Sequence, residues 1–207
     1  MGAANVASGL LPIAFCYLRH GETDWNARGL AQGSADVPLN GTGVAQARAA
    51  AGLLRNRGIA TIVASSLSRA RVTAEIVGAE LGLPVALDDG LCEVRFGVEE
   101  GRPQGDWYQD WLAGRFAPEG GESFAELTAR ATEAVNRATV RPPLVLVVAH
   151  GALFRALRAA MNLPFDMPTR NAVPVLCTPP QAGHAGWTLD MATEATAIPR
   201  PDETNLA

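Results

Sequence analysis

Two short apolar runs, each ending in a His-Gly pair, constrain the fold more than any other feature of the sequence. The first run covers residues 13–18 and is followed by Arg19 and His20; the second covers residues 144–149 and is followed by His150. Short apolar runs of this kind are typical of buried strands. In open α/β sheets, ligands bind at the carboxyl ends of the strands. The pattern therefore predicts that two of the chain's three histidines lie at a ligand-binding edge.

Strand-like and helix-like segments alternate along the chain. Between the strands lie helical spacings with cap signals, including serines before Arg69 and a capping box of Ser123 with Glu126. This alternation predicts an α/β fold, a three-layer sandwich with a mostly parallel central sheet and helices on both faces. Strands are predicted at residues 13–19, 59–64, 85–87, 144–149, 173–177 and 186–189.

The 207 residues fit one domain. We expect a loose leader over residues 1–12, a single domain over residues 13–190 and a disordered tail over residues 191–207. Within the domain, residues 92–121 are rich in glycine, proline and large aromatics. This segment is predicted to be a cap-like insertion whose aromatic side chains form the core of a lid.

Composition excludes several classes of function. A net charge of −4 and a pI near 5.4 give no electrostatic footprint for nucleic acid or an anionic membrane. No apolar stretch reaches the ~20 residues of a membrane-spanning helix. All 17 basic residues are arginines, so a phosphate-loop lysine and a Schiff-base lysine are both excluded. The three cysteines are widely spaced, which argues against a disulfide framework or a zinc site. We therefore expect a cytoplasmic protein with no nucleic-acid or membrane partner.

Four residues at the predicted strand ends suit an oxyanion. Arg69 falls in the first turn of a helix, where backbone N–H groups also favour an anion. Together with Arg19, His20 and His150 it would form a positive pocket with two imidazoles. One imidazole could attack phosphorus, while the guanidinium groups neutralise the equatorial oxygens. The leaving alkoxide needs a proton, so a carboxylic acid is expected nearby.

The sequence resembles the histidine phosphatase superfamily, also called the phosphoglycerate mutase-like superfamily. One lone Arg-His-Gly would be a weak signal, but several blocks follow in the family's order across roughly residues 13–190. The main blocks are residues 18–26, 65–70, 91–93, 120–123 and 148–151.

This resemblance implies a role for each matching residue. His20 corresponds to the nucleophile that becomes phosphohistidine, and Glu93 to the proton donor that later activates water. Arg19, Arg69 and His150 correspond to the phosphate pocket. Neither a metal nor a cofactor is implied. The remaining matches would contact substrate or phosphate: Gly21, Thr23, Asn26, Gln32, Gly33 and Gly151.

Some alternatives stay open at this point. Glu99 and Glu100 lie close to Glu93 and compete with it as the acid. The fold also serves cofactor-dependent phosphoglycerate mutases and non-catalytic phospholigand binders. The mutases usually have a tyrosine where this chain has Phe96, and a longer insertion with a lysine, so we favour hydrolysis by an acid-type phosphatase. The expected partner is a small phosphate ester, and a homodimer is one compatible oligomeric state.

Overall fold

The computed structural model describes residues 9–183 and 185–191. Its strands are β1 (Phe15–Arg19), β2 (Thr61–Ala64), β3 (Val85–Leu87), β4 (Val145–Ala149), β5 (Val175–Thr178) and β6 (Thr188–Met191). Its α-helices are α1 (Asp24–Ala27), α2 (Gly41–Leu54), α3 (Ser68–Leu81), α4 (Asp106–Leu112), α5 (Phe124–Thr139) and α6 (Gly151–Ala160).

All six strands form one sheet in the order β3-β2-β4-β1-β5-β6. The pairs β3-β2, β2-β4 and β4-β1 are parallel, whereas β5 runs antiparallel to β1 and β6 antiparallel to β5. The predicted mostly parallel sheet is therefore confirmed. The register pairs Arg19 with Ala149, which makes β1 and β4 end at the same level. His20 and His150 follow these two ends and are consequently neighbours.

Helices cover both faces of the sheet, because side chains alternate along each strand. Phe15 and Tyr17 of β1 pack in a cluster with α4, α5 and α6. Cys16 and Leu18, which point the other way, pack with α2 and α3. Burial on both faces explains why these strands read as continuous apolar runs rather than as an alternating pattern.

The segment of residues 92–121 packs on the α5–α6 side of the sheet. It contains α4, which the sequence analysis did not predict. Trp111 is fully buried, and its Nε1 donates a hydrogen bond to the Glu122 carbonyl at 2.8 Å. The Phe96 ring meets Trp107, Tyr108 and Trp111 edge-on at centroid distances of 5.3, 5.8 and 5.1 Å. These contacts form a packed aromatic core that fixes α4 close to the carboxyl edge of the sheet.

The predicted capping box of α5 is present. Ser123 Oγ accepts from the Glu126 backbone N–H at 3.2 Å, and the Glu126 carboxylate accepts from the Ser123 N–H at 2.8 Å. This reciprocal pair satisfies two N–H groups that the first turn would otherwise leave open.

The predicted serine cap of α3 is wrong. The N-cap is Leu67, which makes no side-chain cap bond. Asp36 Oδ1 instead accepts from the Ser68 N–H at 2.7 Å. Ser65 lies two residues before the N-cap position, so it is not the N-cap residue of α3. Its hydroxyl instead lies 2.8 Å from His150 Nε2.

The ends of the described chain bear on two further expectations. Residues 1–8 of the predicted leader and 192–207 of the predicted tail lie outside the described residues, whereas Met191, the first residue of that tail, ends β6. Although the sequence predicts a loose segment up to residue 12, Asn136 of α5 bonds to the Gly9 carbonyl at 3.1 Å and to the Leu11 N–H at 2.8 Å. Among the helices of the described ranges, none has the length and apolar character that crossing a membrane requires.

Candidate active site

A cavity of about 120 Å³ lies at the carboxyl ends of β1, β2 and β4. It brings together most of the residues predicted from the sequence: Arg19, His20, Asn26, Gln32, Gly33, Arg69, Glu93 and Gly151. Its remaining wall comes from side chains that the sequence analysis did not assign to the site, among them Gln104, Tyr108 and Arg155.

His20 is held as a neutral imidazole with one nitrogen available. Its Nδ1 lies 2.7 Å from the Gly21 carbonyl oxygen. A carbonyl can only accept, so Nδ1 carries the proton and Nε2 keeps its lone pair. Burial, followed by the positive charges of Arg19 and Arg69, lowers the pKa of His20 well below 6.5. The ring is therefore in the form that a nucleophile needs.

His150 caps α6 and lies directly behind the cavity wall, fully buried. Its ring centroid is 5.2 Å from that of His20, and its Nε2 lies 2.8 Å from Ser65 Oγ. Tyr17 fixes its backbone on both sides, since the phenol accepts from the His150 N–H at 3.0 Å and donates to the His150 carbonyl at 2.7 Å. Burial lowers the pKa of His150 well below 6.5, and the charge of Arg69 adds to this effect.

Arg19 and Arg69 are buried cations anchored through their terminal nitrogens. Arg19 Nη1 donates to the Thr169 carbonyl at 2.6 Å. Arg69 Nη1 and Nη2 donate to the carbonyls of Ala35 and Gly33, each at 2.8 Å. Burial lowers the pKa of both arginines.

Three buried nitrogens in this group have no hydrogen-bond partner among the residues that the structure describes: Arg19 Nε, Arg69 Nε and His150 Nδ1. Buried polar groups in proteins nearly always have partners, and an open one costs about 1–3 kcal/mol. A tetrahedral oxyanion in the cavity would supply acceptors and would also offset the two desolvated charges. The charge and the open donors of this cavity suit a tetrahedral oxyanion such as phosphate.

Glu93 is the carboxylate of the cavity. It is 8% exposed, and its oxygens accept from the N–H groups of Ala152 and Leu153, both at 3.0 Å, and of Val94 at 3.1 Å. The first two donors belong to the first turn of α6, where an acidic group is stabilised by the helix dipole. The carboxyl group is thereby held beside the two arginines.

The competing acids lie elsewhere. Glu100 Oε1 accepts from the backbone N–H groups of Ser34 and Phe96 at 2.8 and 3.2 Å, which ties two loops together. Glu99 pairs with Arg102 at 3.5 Å. Neither carboxylate lines the cavity described above.

Gly21 and Thr23, predicted to contact substrate, do not reach the cavity wall. A Cβ on Gly21 would lie 2.3 Å from the Gly43 carbonyl oxygen, so this glycine permits two backbones to pack closely. Thr23 is fully buried, and its hydroxyl donates to Gln32 Oε1 at 3.0 Å. Thr23 thus positions Gln32, which lines the cavity. The family match alone does not distinguish this positioning role from direct contact with the substrate.

Arg155 is the main residue of the cavity that sequence reasoning missed. It lies four residues after Gly151 on α6, and such pairs share one face of a helix. This four-residue spacing was the only feature of the sequence that could have indicated Arg155 as a residue of the cavity. Within the described residues, no three His, Cys, Asp or Glu side chains gather in a way that could hold a metal ion.

Comparison with known proteins decides the family. A family model described as "Histidine phosphatase superfamily (branch 1)" matches residues 15–178. The chain belongs to this superfamily. The resemblance inferred from the sequence blocks is thereby confirmed.

The relatives include proteins named for both hydrolysis and isomerisation. A Bacillus subtilis protein named "Uncharacterized phosphatase PhoE" is 38% identical over 149 residues, which are 70% of this chain and 75% of that protein. "Probable phosphoglycerate mutase GpmB" of Yersinia enterocolitica is 38% identical over 160 residues, 71% of this chain and 74% of that protein.

Among solved structures, a mycobacterial glucosyl-3-phosphoglycerate phosphatase in complex with VO3 is similar with a TM-score of 0.74 and 32% identity. The match covers 86% of this chain and 97% of that one. The superfamily and these relatives support a phosphatase enzyme of this fold.

Proposed function

We propose that this protein is a metal-independent, acid-type phosphomonoesterase that hydrolyses small phosphorylated metabolites through a phosphohistidine at His20. One observation carries the proposal. The free Nε2 of a neutral, buried imidazole lies in a cavity with two buried guanidinium groups that have open N–H donors.

In the first half-reaction the ester phosphate binds to Arg19, Arg69 and His150. His20 Nε2 attacks phosphorus, an N–P bond forms, and the P–O bond to the alcohol breaks. The alcohol oxygen takes a proton from the Glu93 carboxyl group and leaves. The guanidinium groups stabilise the charge on the three equatorial oxygens of the transition state.

In the second half-reaction water enters the place that the alcohol has left. The Glu93 carboxylate takes a proton from this water, whose oxygen attacks phosphorus while the N–P bond breaks. Phosphate and neutral His20 result, and Glu93 is again protonated for the next cycle. The N–H groups of Val94, Ala152 and Leu153 hold the Glu93 side chain in position for this proton transfer.

The acid-type assignment is supported by the lowered pKa of His20. An ordinary histidine becomes protonated below a pH of about 6.5 and then cannot act as a nucleophile. His20 instead stays neutral in mild acid, so kcat/KM should persist there. A cytoplasmic location and a homodimer remain predictions from the sequence.

Phosphoglycerate mutase activity is a second candidate, favoured by the similarity to GpmB. A mutase has to protect its phosphoenzyme from water until the second transfer. A coupled assay with 2,3-bisphosphoglycerate and 3-phosphoglycerate compares the two rates directly. We expect release of inorganic phosphate to exceed isomerisation, and the reverse order would assign the chain to the mutases. A binder without catalysis would show neither reaction.

The experiment that tests the proposal is hydrolysis of p-nitrophenyl phosphate. We expect turnover that vanadate inhibits, that EDTA does not affect, and that His20→Ala abolishes. His184→Ala is the control, because this third histidine matches no block of the family. Full turnover in His20→Ala, or loss of turnover in EDTA, would overturn the proposal.

A further inference from the structure

Arg155 is a cation on the cavity wall that the proposed chemistry does not use. Its Nη1 donates to the Phe165 carbonyl at 2.9 Å, and its guanidinium carbon lies 5.8 Å from the centre of the Tyr108 ring. These two contacts hold the head group in place. The side chain is half-buried and lines the same cavity as Arg19 and Arg69.

No carboxylate of the chain neutralises Arg155 within residues 9–183 and 185–191. Its Nε and Nη2 form no hydrogen bond within the same ranges. The positive charge is close enough to Arg19 to contribute to the lowered pKa of that residue. A partly desolvated cation with one free edge, facing a ligand cavity, indicates a second anionic group on the ligand.

Two neutral donors, Tyr108 and Gln104, line the same cavity as Arg155. Burial raises the pKa of Tyr108 to about 12, so its hydroxyl stays protonated. The Gln104 side chain lines the cavity and makes no hydrogen bond within the described part of the chain. One guanidinium with two neutral donors matches a single negative charge. A second phosphate group would bring two negative charges, of which Arg155 neutralises only one. The chain has no lysine that could provide the further positive charge.

We infer that the substrate carries a carboxylate beside its phosphate ester, and that Arg155 binds this carboxylate through Nε and Nη2. The inference rests on the proposed phosphatase function and adds the substrate class. A planar carboxylate fits the fork of a guanidinium through two parallel hydrogen bonds. The phosphate would lie between Arg19 and Arg69, and the acid group would point towards α4 and the start of α6.

The chain contains a matched control for Arg155. Arg158, one turn further along α6, also donates to a carbonyl, that of Met167 at 3.1 Å, and also lies over an aromatic ring, that of Phe154 at 4.9 Å. It does not line the cavity. A variant of Arg158 therefore loses the same kinds of contact without touching the proposed carboxylate site.

The test compares esters that differ in the carboxylate. 3-Phosphoglycerate is paired with glycerol 3-phosphate, and O-phosphoserine with O-phosphoethanolamine. For each pair, the ratio of kcat/KM is measured in the wild type, Arg155→Leu, Arg155→Lys and Arg158→Leu. We expect the wild type to favour the acid by roughly 10- to 100-fold, the worth of one charged hydrogen-bonded pair.

Arg155→Leu should bring the ratio close to one, mainly through KM, because the contact exists before and during the transition state. Arg155→Lys should keep part of the preference, since it retains the charge but not the fork. If Arg155→Leu fails to fold, Arg155→Lys still tests whether the preference for the acid depends on the guanidinium group. Arg158→Leu should keep the wild-type ratio.

The outcomes separate this inference from the proposed function. A wild-type ratio near one, an unchanged ratio in Arg155→Leu, or an equal loss on both members of each pair would overturn the carboxylate assignment while leaving the phosphatase intact. Absence of hydrolysis of every ester, including p-nitrophenyl phosphate, would overturn the function itself.

Discussion

Glutamine in place of Glu93 tests the proton-transfer role and the local geometry together. Both carboxylate oxygens accept: Oε1 from Val94 and Leu153, and Oε2 from Ala152. Glutamine has one acceptor oxygen, so its amide group must face one of these N–H donors. Loss of one buried, charge-assisted hydrogen bond costs about 1.5–3 kcal/mol. For a chain of this length we expect Tm to fall by roughly 3–12 °C.

The effect on catalysis should depend on the leaving group. Loss of a general acid typically lowers the rate by about 10²–10⁴-fold. An alkyl phosphate needs the full proton transfer, whereas nitrophenolate leaves without a proton. The measurement is kcat/KM for glycerol 3-phosphate and for p-nitrophenyl phosphate in Glu93→Gln and wild type. Because kcat/KM covers the steps up to release of the alcohol, the later attack by water does not enter.

Glu100→Gln is the matched control for this prediction. The carboxyl oxygen that accepts in Glu100 can be replaced by the amide oxygen, and the residue does not line the cavity. We expect nearly wild-type kcat/KM on both esters. Equal losses on the two esters in Glu93→Gln, or no loss on the alkyl ester, would refute the assignment of Glu93 as the acid.

Three further predictions concern the framework of the site. Tyr17→Phe leaves the buried His150 N–H without its acceptor, so the free energy of unfolding should fall by about 1–3 kcal/mol in urea titrations. Gly21→Ala should cost about 1–3 kcal/mol through overpacking, whereas Gly52→Ala, with open space around it, should stabilise α2 by about 0.5–1 kcal/mol. Folding lowers the pKa of His20 and of His150, so as the pH falls the unfolded chain takes up these two protons before the folded chain does. The free energy of unfolding should therefore be level between about pH 6.5 and 8, and should fall below pH 6.5 by up to about 1.4 kcal/mol per pH unit for each histidine. His150→Gln should halve the dependence of the unfolding free energy on pH below 6.5. An unfolding free energy that does not change with pH in the wild type would contradict this prediction.

The sequence predicts much of the sheet because the signals for its strands are local. The run before His20 is apolar throughout, since β1 is buried on both faces, and its carboxyl end marks the site. The same logic places His150 after β4. Arg69 follows because it opens the helix after β2.

The parts that sequence reasoning missed depend on contacts between distant segments. The helix α4 is short, and its placement rests on aromatic packing around Phe96. Arg155 lies next to Tyr108, which this packing brings close to α6. Gly21 matches the family for a packing reason, which the sequence alone does not distinguish from substrate contact.

Trapping the phosphoenzyme tests the central claim most directly. The protein is mixed briefly with a radiolabelled phosphate ester, quenched, and assayed for bound phosphate in the wild type and in His20→Ala. We predict an adduct that is labile to acid and stable to base, as a phosphorus–nitrogen bond should be, and that His20→Ala lacks. An adduct that persists in His20→Ala, or turnover in the wild type without any trapped adduct, would contradict the account.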